Sequence, residues 1–318
     1  MNDWQLKTPV ALIIFNRPDT TEKVFEAIRQ VKPPKLLVIA DAPRANRPGE
    51  AEKCAAVRAI IDRVDWDCEL LKNYSDVNLG CGLRPATGIS WVFEQVEEAI
   101  ILEHDCLPHP TFFRFCEELL EKYRNEPRIM NISAGNKDNF LNFLFGSKLS
   151  GYSYYFSRYF GTWGWASWRR AWQYYDFEMK RFPEILEQGW LNKFFQDERT
   201  TQYWIKRFEQ TYNLGNTWDY QWEFACWLQN GLSIRPKVNL ISNIGSGPEA
   251  VNTKDEYDPS MNRAIRALSF PLKHPPSIVR DEKVDRLSQK EMLRADFPDV
   301  MYRARRKFRK LLNGKFVG

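Results

Sequence analysis

The sequence predicts an α/β fold with a mostly parallel sheet and helices on both of its faces. Short apolar segments alternate with longer segments of helical periodicity between residues 8 and 133. The apolar segments lack the polar alternation of a half-exposed strand, which is typical of parallel strands buried on both faces. The chain has 318 residues, 43% of them hydrophobic and 27% charged, as in a globular protein with a sizeable core.

The elements follow one another in a β-α-β-α order. Strands are predicted over residues 8–16, 35–41, 69–74, 99–102 and near 128–133. Helices are predicted over residues 19–31, 49–64, 86–98 and 110–123. Asp19 or Thr20 is the expected cap of the first helix. This alternation is the pattern of a parallel sheet whose strands are connected by crossover helices.

Three of the predicted strands end in polar side chains. Asn16 and Arg17 follow the first strand, Asp41 ends the second, and the triplet at 103–105 follows the strand at 99–102. Ligands of such sheets bind at the carboxyl ends of the strands. We therefore expect these side chains to converge on one binding site.

The composition changes at about residue 150. Nine of the 12 tryptophans lie between residues 163 and 227, and residues 184–230 are predicted to be largely helical. Residues 231–260 are expected to be rich in loops. Since no internal repeat or low-complexity linker is present, we expect one domain with two halves. These are residues 1–150 and 151–284, followed by a helix and a basic tail over 285–318.

Glu103 and Asp105 form an acidic pair at a strand end, where residues two apart point to the same face. Mn²⁺ or Mg²⁺ is often held by one or two carboxylates together with phosphate oxygens and water. A solvated strand end or a helix-cap cluster is the alternative interpretation. A zinc site of His104, Cys106 and His109 is a further alternative, but its spacing matches no common zinc motif.

The segment at 96–140 contains an apolar strand, the Glu-His-Asp triplet, a Pro-Thr-Phe-Phe helix start and a Ser-Ala-Gly-Asn strand end. It resembles the core of N-acetylglucosaminyltransferase I-like enzymes and related bacterial nucleotide-sugar transferases. The resemblance extends over roughly residues 8–250. It implies a GT-A fold, which is Rossmann-like, with a nucleotide-sugar-binding half at 1–150 and a helical, aromatic-rich acceptor half at 151–284.

The resemblance also implies a donor site. Asp105 would bind the metal, with Glu103 and His104 on the donor, although His104 departs from the acid of the animal enzymes and has no assigned role. Arg17 would contact the nucleotide and Asp41 the uracil ring, in keeping with the bonds that a guanidinium and a carboxylate can form. The remaining donor-site residues implied by the resemblance are Phe15, Asn16, Gly80, Gly82 and Arg84. For Arg17 and Arg84, a surface charge is the alternative.

The block GTWGWASWRRAW at 161–172 is similar to a glycine-aromatic loop near the acceptor of such enzymes. We expect Trp163, Gly164 and Trp165 to lie near the acceptor, whose sugar rings would stack on the aromatic faces. Burial of these rings in the core is the alternative, because aromatic residues in helical segments more often pack inside.

The segment WDYQWEFACWLQ near 218–229 resembles the Trp-Asp helix of this family, and Asp219 corresponds to its catalytic base. Glu223 is a rival base, because it lies four residues later on the same helix face. An exposed helix carboxylate is the alternative for either residue. Asn252 stands where bacterial relatives have a histidine, so a metal or phosphate contact from that position is not expected.

The implied function is metal-dependent, inverting transfer of a sugar from a UDP-sugar to the hydroxyl of a glycan or a lipid-linked glycan. N-acetylglucosamine is a candidate donor sugar by the same resemblance. A sugar-phosphate nucleotidyltransferase is one alternative, but residues 15–20, FNRPDT, contain no glycine for a phosphate loop. A non-catalytic carbohydrate-binding protein is another, but it would have no need of polar groups at three strand ends.

The net charge of +5 is concentrated at the end of the chain, because seven basic residues and no acidic residue follow Asp299. The segment 302–318 combines these cations with Phe308, Leu311 and Leu312, which suits peripheral contact with an anionic membrane surface. A solvated tail is the alternative, and nucleic acid is not expected because no recognition motif is present.

The expected location is the cytosol, with contact at the inner face of the membrane through this tail. The first ten residues lack the basic and apolar regions of a signal peptide, and no apolar run approaches the ~20 residues of a membrane helix. The six cysteines include no C-x-x-C pair, so we expect reduced structural thiols.

Overall fold

A computed structural model of the protein describes residues 4–135, 151–247 and 260–296, without the side chains of 294–296. The strands are β1 (Val10–Ile14), β2 (Lys35–Ala40), β3 (Glu69–Tyr74), β4 (Glu98–Glu103), β5 (Cys106–Pro108), β6 (Ile129–Ser133), β7 (Tyr154–Ser157), β8 (Trp165–Trp168), β9 (Leu232–Pro236) and β10 (Ile241–Asn243). The helices are α1 (Pro18–Val31), α2 (Glu50–Ile61), α3 (Gly80–Gln95), α4 (Thr111–Lys122), α5 (Arg169–Trp172), α6 (Phe182–Glu187), α7 (Trp190–Phe195), α8 (Glu198–Leu214), α9 (Asp219–Leu228) and α10 (Glu282–Asp296).

Over the described residues, the central sheet has eight strands in the order β3-β2-β1-β4-β8-β6-β9-β7. The β3-β2-β1-β4 unit is parallel throughout, and β9 lies parallel to β6. Only β8 and β7 run against the others. The predicted α/β fold class, with a mostly parallel sheet and helices on both faces, is therefore confirmed. Strands from residues 1–150 and from 151–284 contribute to the same sheet.

Side chains of the central strands alternate between two apolar layers, because successive residues of a strand point to opposite faces. Val10, Leu12 and Ile14 of β1 pack in a cluster that includes residues of α1, α2 and α4. Ala11 and Ile13 pack in a second cluster with residues of α3, α5 and α9. A third, largely aromatic cluster is formed by α6, α7, α8 and α9. This third cluster confirms the predicted helical, aromatic-rich character of the second half.

Most predicted elements are confirmed, and three local predictions were wrong. Helix α1 begins at Pro18 and has Arg17 at its N-cap, without a side-chain cap hydrogen bond. Neither Asp19 nor Thr20 is its cap, because proline with its fixed φ occupies the first helical position. Helix α3 begins at Gly80 and not at residue 86, because the Asp41 carboxylate accepts hydrogen bonds from the N–H groups at its start.

The third wrong prediction concerns the aromatic block at 161–172, which was expected to be a loop. Four of its residues form β8, an antiparallel strand between β4 and β6. The short strands β5 and β10 were not predicted, since three residues carry too little periodicity to be recognised. These two strands pair with each other outside the central sheet, with Asn243 opposite Cys106.

Two predictions fall outside the described residues. They concern Asn252 and the basic tail at 302–318. In the described parts of the chain, no helix has the length and apolarity required to cross a membrane. All six cysteines are free thiols, and four of them are buried.

Candidate functional site

The strand register brings the predicted polar groups to one edge of the sheet. Ile14 of β1 lies opposite Ala40 of β2, and Ile13 lies opposite Glu103 of β4. The segments that follow these three strands therefore leave the sheet side by side. Strand β8 runs in the opposite direction and begins at the same edge, with Trp165 opposite Ile101. The loop that precedes β8 thus lies next to the end of β4.

Three carboxylates interact at this edge. Burial, together with the nearby charges of Asp105 and Asp219, raises the pKa of Glu103 to about 8. The start of α9 lies near this edge, because Trp218, next to Asp219, stacks on Trp165 of β8, which pairs with Ile101 of β4. Asp219 is the first residue of α9 and accepts a hydrogen bond from the Thr217 hydroxyl. The fold thus joins residues that are far apart in the sequence.

Asp105 lies in the turn between β4 and β5, and the segment after β10 packs directly against it. The N–H of Ile244 donates to the Asp105 carbonyl at 2.8 Å. A methyl group added to Gly245 would lie only 2.2 Å from Oδ2 of Asp105. Any residue other than glycine at position 245 would therefore clash with this carboxylate. Arg17 donates from Nη1 to the Gly245 carbonyl at 3.3 Å. Arg17, Asp105 and Gly245 therefore form one connected group, in which sequence reasoning did not identify Gly245.

The side chains of the described residues supply at most part of the ligands that a metal ion needs. In the described ranges, no group of three or more His, Cys, Asp or Glu residues is arranged to hold an ion. Cys106 is buried and His109 is bonded through Nδ1 to the Thr111 hydroxyl, so the zinc alternative has no support here. The acidic pair of Glu103 and Asp105 fits a hard divalent cation whose remaining ligands are phosphate oxygens and water. Such a cation would also relieve the repulsion that raises the pKa of Glu103.

Asp41 and Arg84 are buried and bonded to the protein. The Asp41 carboxylate accepts hydrogen bonds from the backbone N–H groups of Ala42, Leu79 and Gly80 at 2.8–2.9 Å. This carboxylate satisfies N–H groups at the start of α3, which explains why the helix begins there. Asp41 therefore caps α3, and the contact with uracil that the family resemblance implied stays a prediction.

The Arg84 guanidinium is equally engaged. It donates to the Ala40 carbonyl at 3.0 Å and to the carbonyl and side-chain oxygens of Asn73 at 2.5 and 2.6 Å. Burial lowers its pKa. Arg84 thus connects α3 to the ends of β2 and β3. It is only 5% exposed to solvent, which leaves little of its surface for a phosphate.

Gly82 permits a close approach between α3 and the loop before Asp219. A methyl group at this position would lie 2.4 Å from the Gly215 carbonyl oxygen and 3.0 Å from the backbone nitrogen of Thr217. The Cys81 thiol also donates to the Asn216 carbonyl at 3.2 Å. Gly82 therefore helps to place the loop that carries Asp219.

A second polar group joins the segments after β1 and β2. Glu50, the first residue of α2, accepts a hydrogen bond from Nδ2 of Asn16 at 2.9 Å and from the backbone N–H of Arg44 at 2.7 Å. The Arg44 guanidinium also donates to this carboxylate and lies 5.6 Å from the centre of the Phe15 ring. Sequence reasoning missed Arg44 and Glu50, although Arg44 stands only three residues after the strand-end residue Asp41.

The predicted acceptor residues occupy different environments. Trp165 is fully buried and stacks on Trp218 with ring centres 5.7 Å apart, so its ring has no surface for a sugar. Trp163, two residues before the start of β8, is partly exposed. Gly164 has a positive φ of 62°, and its carbonyl accepts a hydrogen bond from the N–H of Ala134 at 2.8 Å. Of the three, Trp163 is the one whose side chain reaches the surface.

Glu223 and His104 lie close to the site but take part in the backbone framework. Glu223 is only 8% exposed and accepts a hydrogen bond from the N–H of Phe160 at 3.2 Å. Its carboxylate therefore holds the loop that leads to Trp163. The backbone N–H of His104 donates to the Ile13 carbonyl at 2.9 Å and extends the pairing of β1 with β4, while its side chain is partly exposed.

No protein-family model and no curated protein matches this sequence. Among solved structures, the chain is similar to UDP-glucose pyrophosphorylase complexed with UDP-glucose, with 10% identity and a TM-score of 0.26 over 49% of this chain. The chain spans 65% of the length of that structure. It is also similar to mouse xyloside xylosyltransferase 1, with 11% identity and a TM-score of 0.32 over 69% of this chain and 81% of the other. An apo UDP-glucose pyrophosphorylase gives 9% identity and a TM-score of 0.36 over 74% and 93%.

Proposed function

We propose that the protein is a nucleotide-sugar-dependent enzyme, and specifically a glycosyltransferase that moves a sugar from a UDP-sugar to a carbohydrate hydroxyl with inversion. The observation that carries this proposal is that Glu103 and Asp105 lie at the carboxyl end of β4, while Trp218 places the neighbouring Asp219 at the same edge by stacking on Trp165 of β8. Glu103 and Asp105 can bind a metal ion that holds the diphosphate, while Asp219 lies on a separate helix, α9. Transfer chemistry needs both a charged donor site and a separate base.

On the donor side, Asp105 would hold Mn²⁺ or Mg²⁺ with support from Glu103. When bound, such a cation neutralises charge that develops on a departing diphosphate. Arg17 lies beside this pair, with 13% of its side chain exposed, one hydrogen bond to the Gly245 carbonyl and two to the Asp19 carboxylate. Its remaining N–H groups can donate to a phosphate oxygen. His104 lies at the same edge and would line the donor site.

Asp219 is the proposed catalytic base. It is partly exposed, its orientation is supported by the Thr217 hydroxyl, and its charge acts on Glu103. It would accept the proton of the acceptor hydroxyl as the new glycosidic bond forms, a role that contributes ~10²–10⁴-fold to the rate. Glu223 is less suited to this role because it is buried and bonded to the backbone of Phe160.

The acceptor would approach along the loop before β8, where Trp163 reaches the surface and Gly164 gives the loop its shape. Trp165 would support this loop from inside the core. Sugar rings pack well on exposed aromatic faces, because such faces combine apolar surface with a defined geometry. The acceptor class that fits is a glycan, free or linked to a lipid, and the basic tail at 302–318 would bring the protein to the membrane surface.

The first test measures the turnover of a panel of nucleotide sugars with Mn²⁺, and its readout is the release of UDP. The Asp219→Asn variant should lose transfer by at least about 10²-fold, while its affinity for UDP stays within about twofold of the wild type. Asp67→Asn is the matched control, since Asp67 is exposed on the surface. Near-normal turnover by Asp219→Asn would reject the assignment of the base.

Two further assays separate the proposed glycosyltransferase from the two alternative functions. Release of pyrophosphate from a nucleoside triphosphate and a sugar phosphate would identify a nucleotidyltransferase. Binding of glycans without turnover of any donor would identify a carbohydrate-binding protein. Either result would overturn the transferase.

A further inference from the structure

Glu50 connects the two segments that leave the sheet after β1 and β2. Its side chain is 5% exposed, although it is charged and stands at the start of a surface helix. One carboxylate oxygen accepts from Nδ2 of Asn16 at 2.9 Å, and the other accepts from the backbone N–H of Arg44 at 2.7 Å. Nε of Arg44 lies 2.9 Å from this second oxygen. A buried carboxylate with this set of partners holds both segments in one arrangement.

The contact with Glu50 fixes which way the amide of Asn16 points. Hydrogen bonds from Arg44 lower the pKa of Glu50 to about 2, so its carboxylate is ionised at neutral pH. An ionised carboxylate only accepts hydrogen bonds, which requires the NH₂ group of Asn16 to face it. The Asn16 carbonyl oxygen must then point the other way. In the described parts of the chain, this oxygen accepts no hydrogen bond, and the residue is partly exposed.

The group expected to read a nucleobase is already engaged elsewhere. The Asp41 carboxylate accepts three backbone N–H groups around the start of α3 and is only 6% exposed. Asn16 lies on the neighbouring strand end, beside the Phe15 ring that Arg44 covers at 5.6 Å. At this part of the edge, the free acceptor is therefore an amide oxygen and not a carboxylate.

We propose that Glu50 is a positioning residue of the donor site, which orients Asn16 so that its carbonyl oxygen reads the nucleobase. This inference rests on the proposed function, and it names the base that the site prefers. Uracil carries an N–H donor at N3, whereas cytosine carries an acceptor at the same place. An amide oxygen held in a fixed orientation would accept from uracil and repel cytosine. Discrimination by unmatched polar groups of this kind can be large.

The test compares the affinities for UDP and CDP, measured by titration calorimetry with Mn²⁺ on the full chain. The wild type should bind UDP at least about tenfold more tightly than CDP, the factor that 1.4 kcal/mol represents. In Glu50→Gln, the new amide has one acceptor oxygen for several donors, so Asn16 is no longer fixed. We expect affinity for UDP to fall about tenfold and the preference over CDP to shrink to about twofold or less.

Two further variants make the result specific. Glu52→Gln changes an exposed acid in the same first turn of α2 and should behave as the wild type. Asn16→Ala leaves the contact between Glu50 and Arg44 in place, so it should fold with only a small loss of stability and lose the preference for UDP. This variant tests the inference even if Glu50→Gln fails to fold.

The outcomes distinguish this inference from the proposed function. If the wild type binds neither nucleotide, the proposed function fails and the inference fails with it. If the wild type prefers UDP and Asn16→Ala keeps that preference, the donor site stands and the reading by Asn16 is refuted. If Glu50→Gln folds, loses stability and keeps the wild-type ratio of affinities, Glu50 is only a structural residue.

Discussion

The close approach of Gly245 to Asp105 permits a prediction whose size follows from the distances between their atoms. In Gly245→Ala, the new methyl carbon would lie 2.2 Å from Oδ2, 2.9 Å from Cγ and 2.8 Å from Cβ of Asp105. Ordinary carbon contacts begin at about 3.5 Å, so the carboxylate must move by roughly 1 Å. Rotation of the side chain alone cannot achieve this, because Cβ itself is too close. A displacement of this size can reduce turnover by about 10²-fold.

The substitution should leave the rest of the fold in place. Gly245 does not adopt the left-handed backbone conformation, so alanine is compatible with its dihedral angles. Its N–H donates to Oδ1 of Asn243 at 2.9 Å and its carbonyl accepts from Arg17, and neither bond involves a side chain of residue 245. The loss should therefore appear mainly in activity, with a decrease in the free energy of unfolding of no more than about 1–3 kcal/mol.

The assay is the initial rate of UDP release at several Mn²⁺ concentrations. Gly245→Ala should need more Mn²⁺ for half-maximal rate as well as turning over more slowly. Gly135→Ala is the matched control, because a methyl group there would meet its nearest neighbour, Ile241, at an ordinary 3.8 Å. A Gly245→Ala variant with a rate within about threefold of the control and an unchanged Mn²⁺ dependence would refute the positioning of Asp105 by this glycine.

Two further predictions concern stability. Burial raises the pKa of Asp285 to about 7 from its ordinary value of 3.8, so the folded protein binds this proton more tightly than the unfolded chain does. The free energy of unfolding should therefore fall as the pH rises from about 4 to about 7, and Asp285→Asn should flatten that slope in urea titrations; an unchanged slope would contradict the assignment. Gly82→Ala places a methyl group 2.4 Å from the Gly215 carbonyl, so it should lower the free energy of unfolding by about 1–3 kcal/mol and slow transfer by displacing Asp219. Wild-type stability together with wild-type turnover would show that this contact is unimportant.

The sequence predicted those parts of the fold that depend on local pattern. Strands β1, β2 and β4 were recognisable because their central residues form uninterrupted apolar runs. The polar residues that follow these runs therefore marked the edge where the site lies. The approach of Asp219 to the acidic triplet was expected only from a family resemblance. No periodicity relates residues so far apart, and the contact arises from the packing of α9 against the sheet.

What the sequence left open depends on contacts between distant residues. Helix α3 begins early because Asp41, which directly follows β2, supplies its cap, and this could not be read from residues 78–86 alone. The residues around Trp165 could have formed a loop, a helix or a strand, since aromatic side chains suit each of them. Glu50 resembled an ordinary acid in the first turn of a helix, and only the structure shows it buried between two segments.

The position of β8 has a consequence for the order in which the protein can assemble during synthesis. Strand β8 lies between β4 and β6 and pairs with both. Until the ribosome has made Trp168, the backbone groups on one side of β4 therefore have no partner strand. Exposed sheet edges of this kind promote association between chains. The strands of the first half would thus have an unpaired edge at β4 that is prone to association with other chains. This edge becomes paired only when β8, which is synthesised later, inserts between β4 and β6.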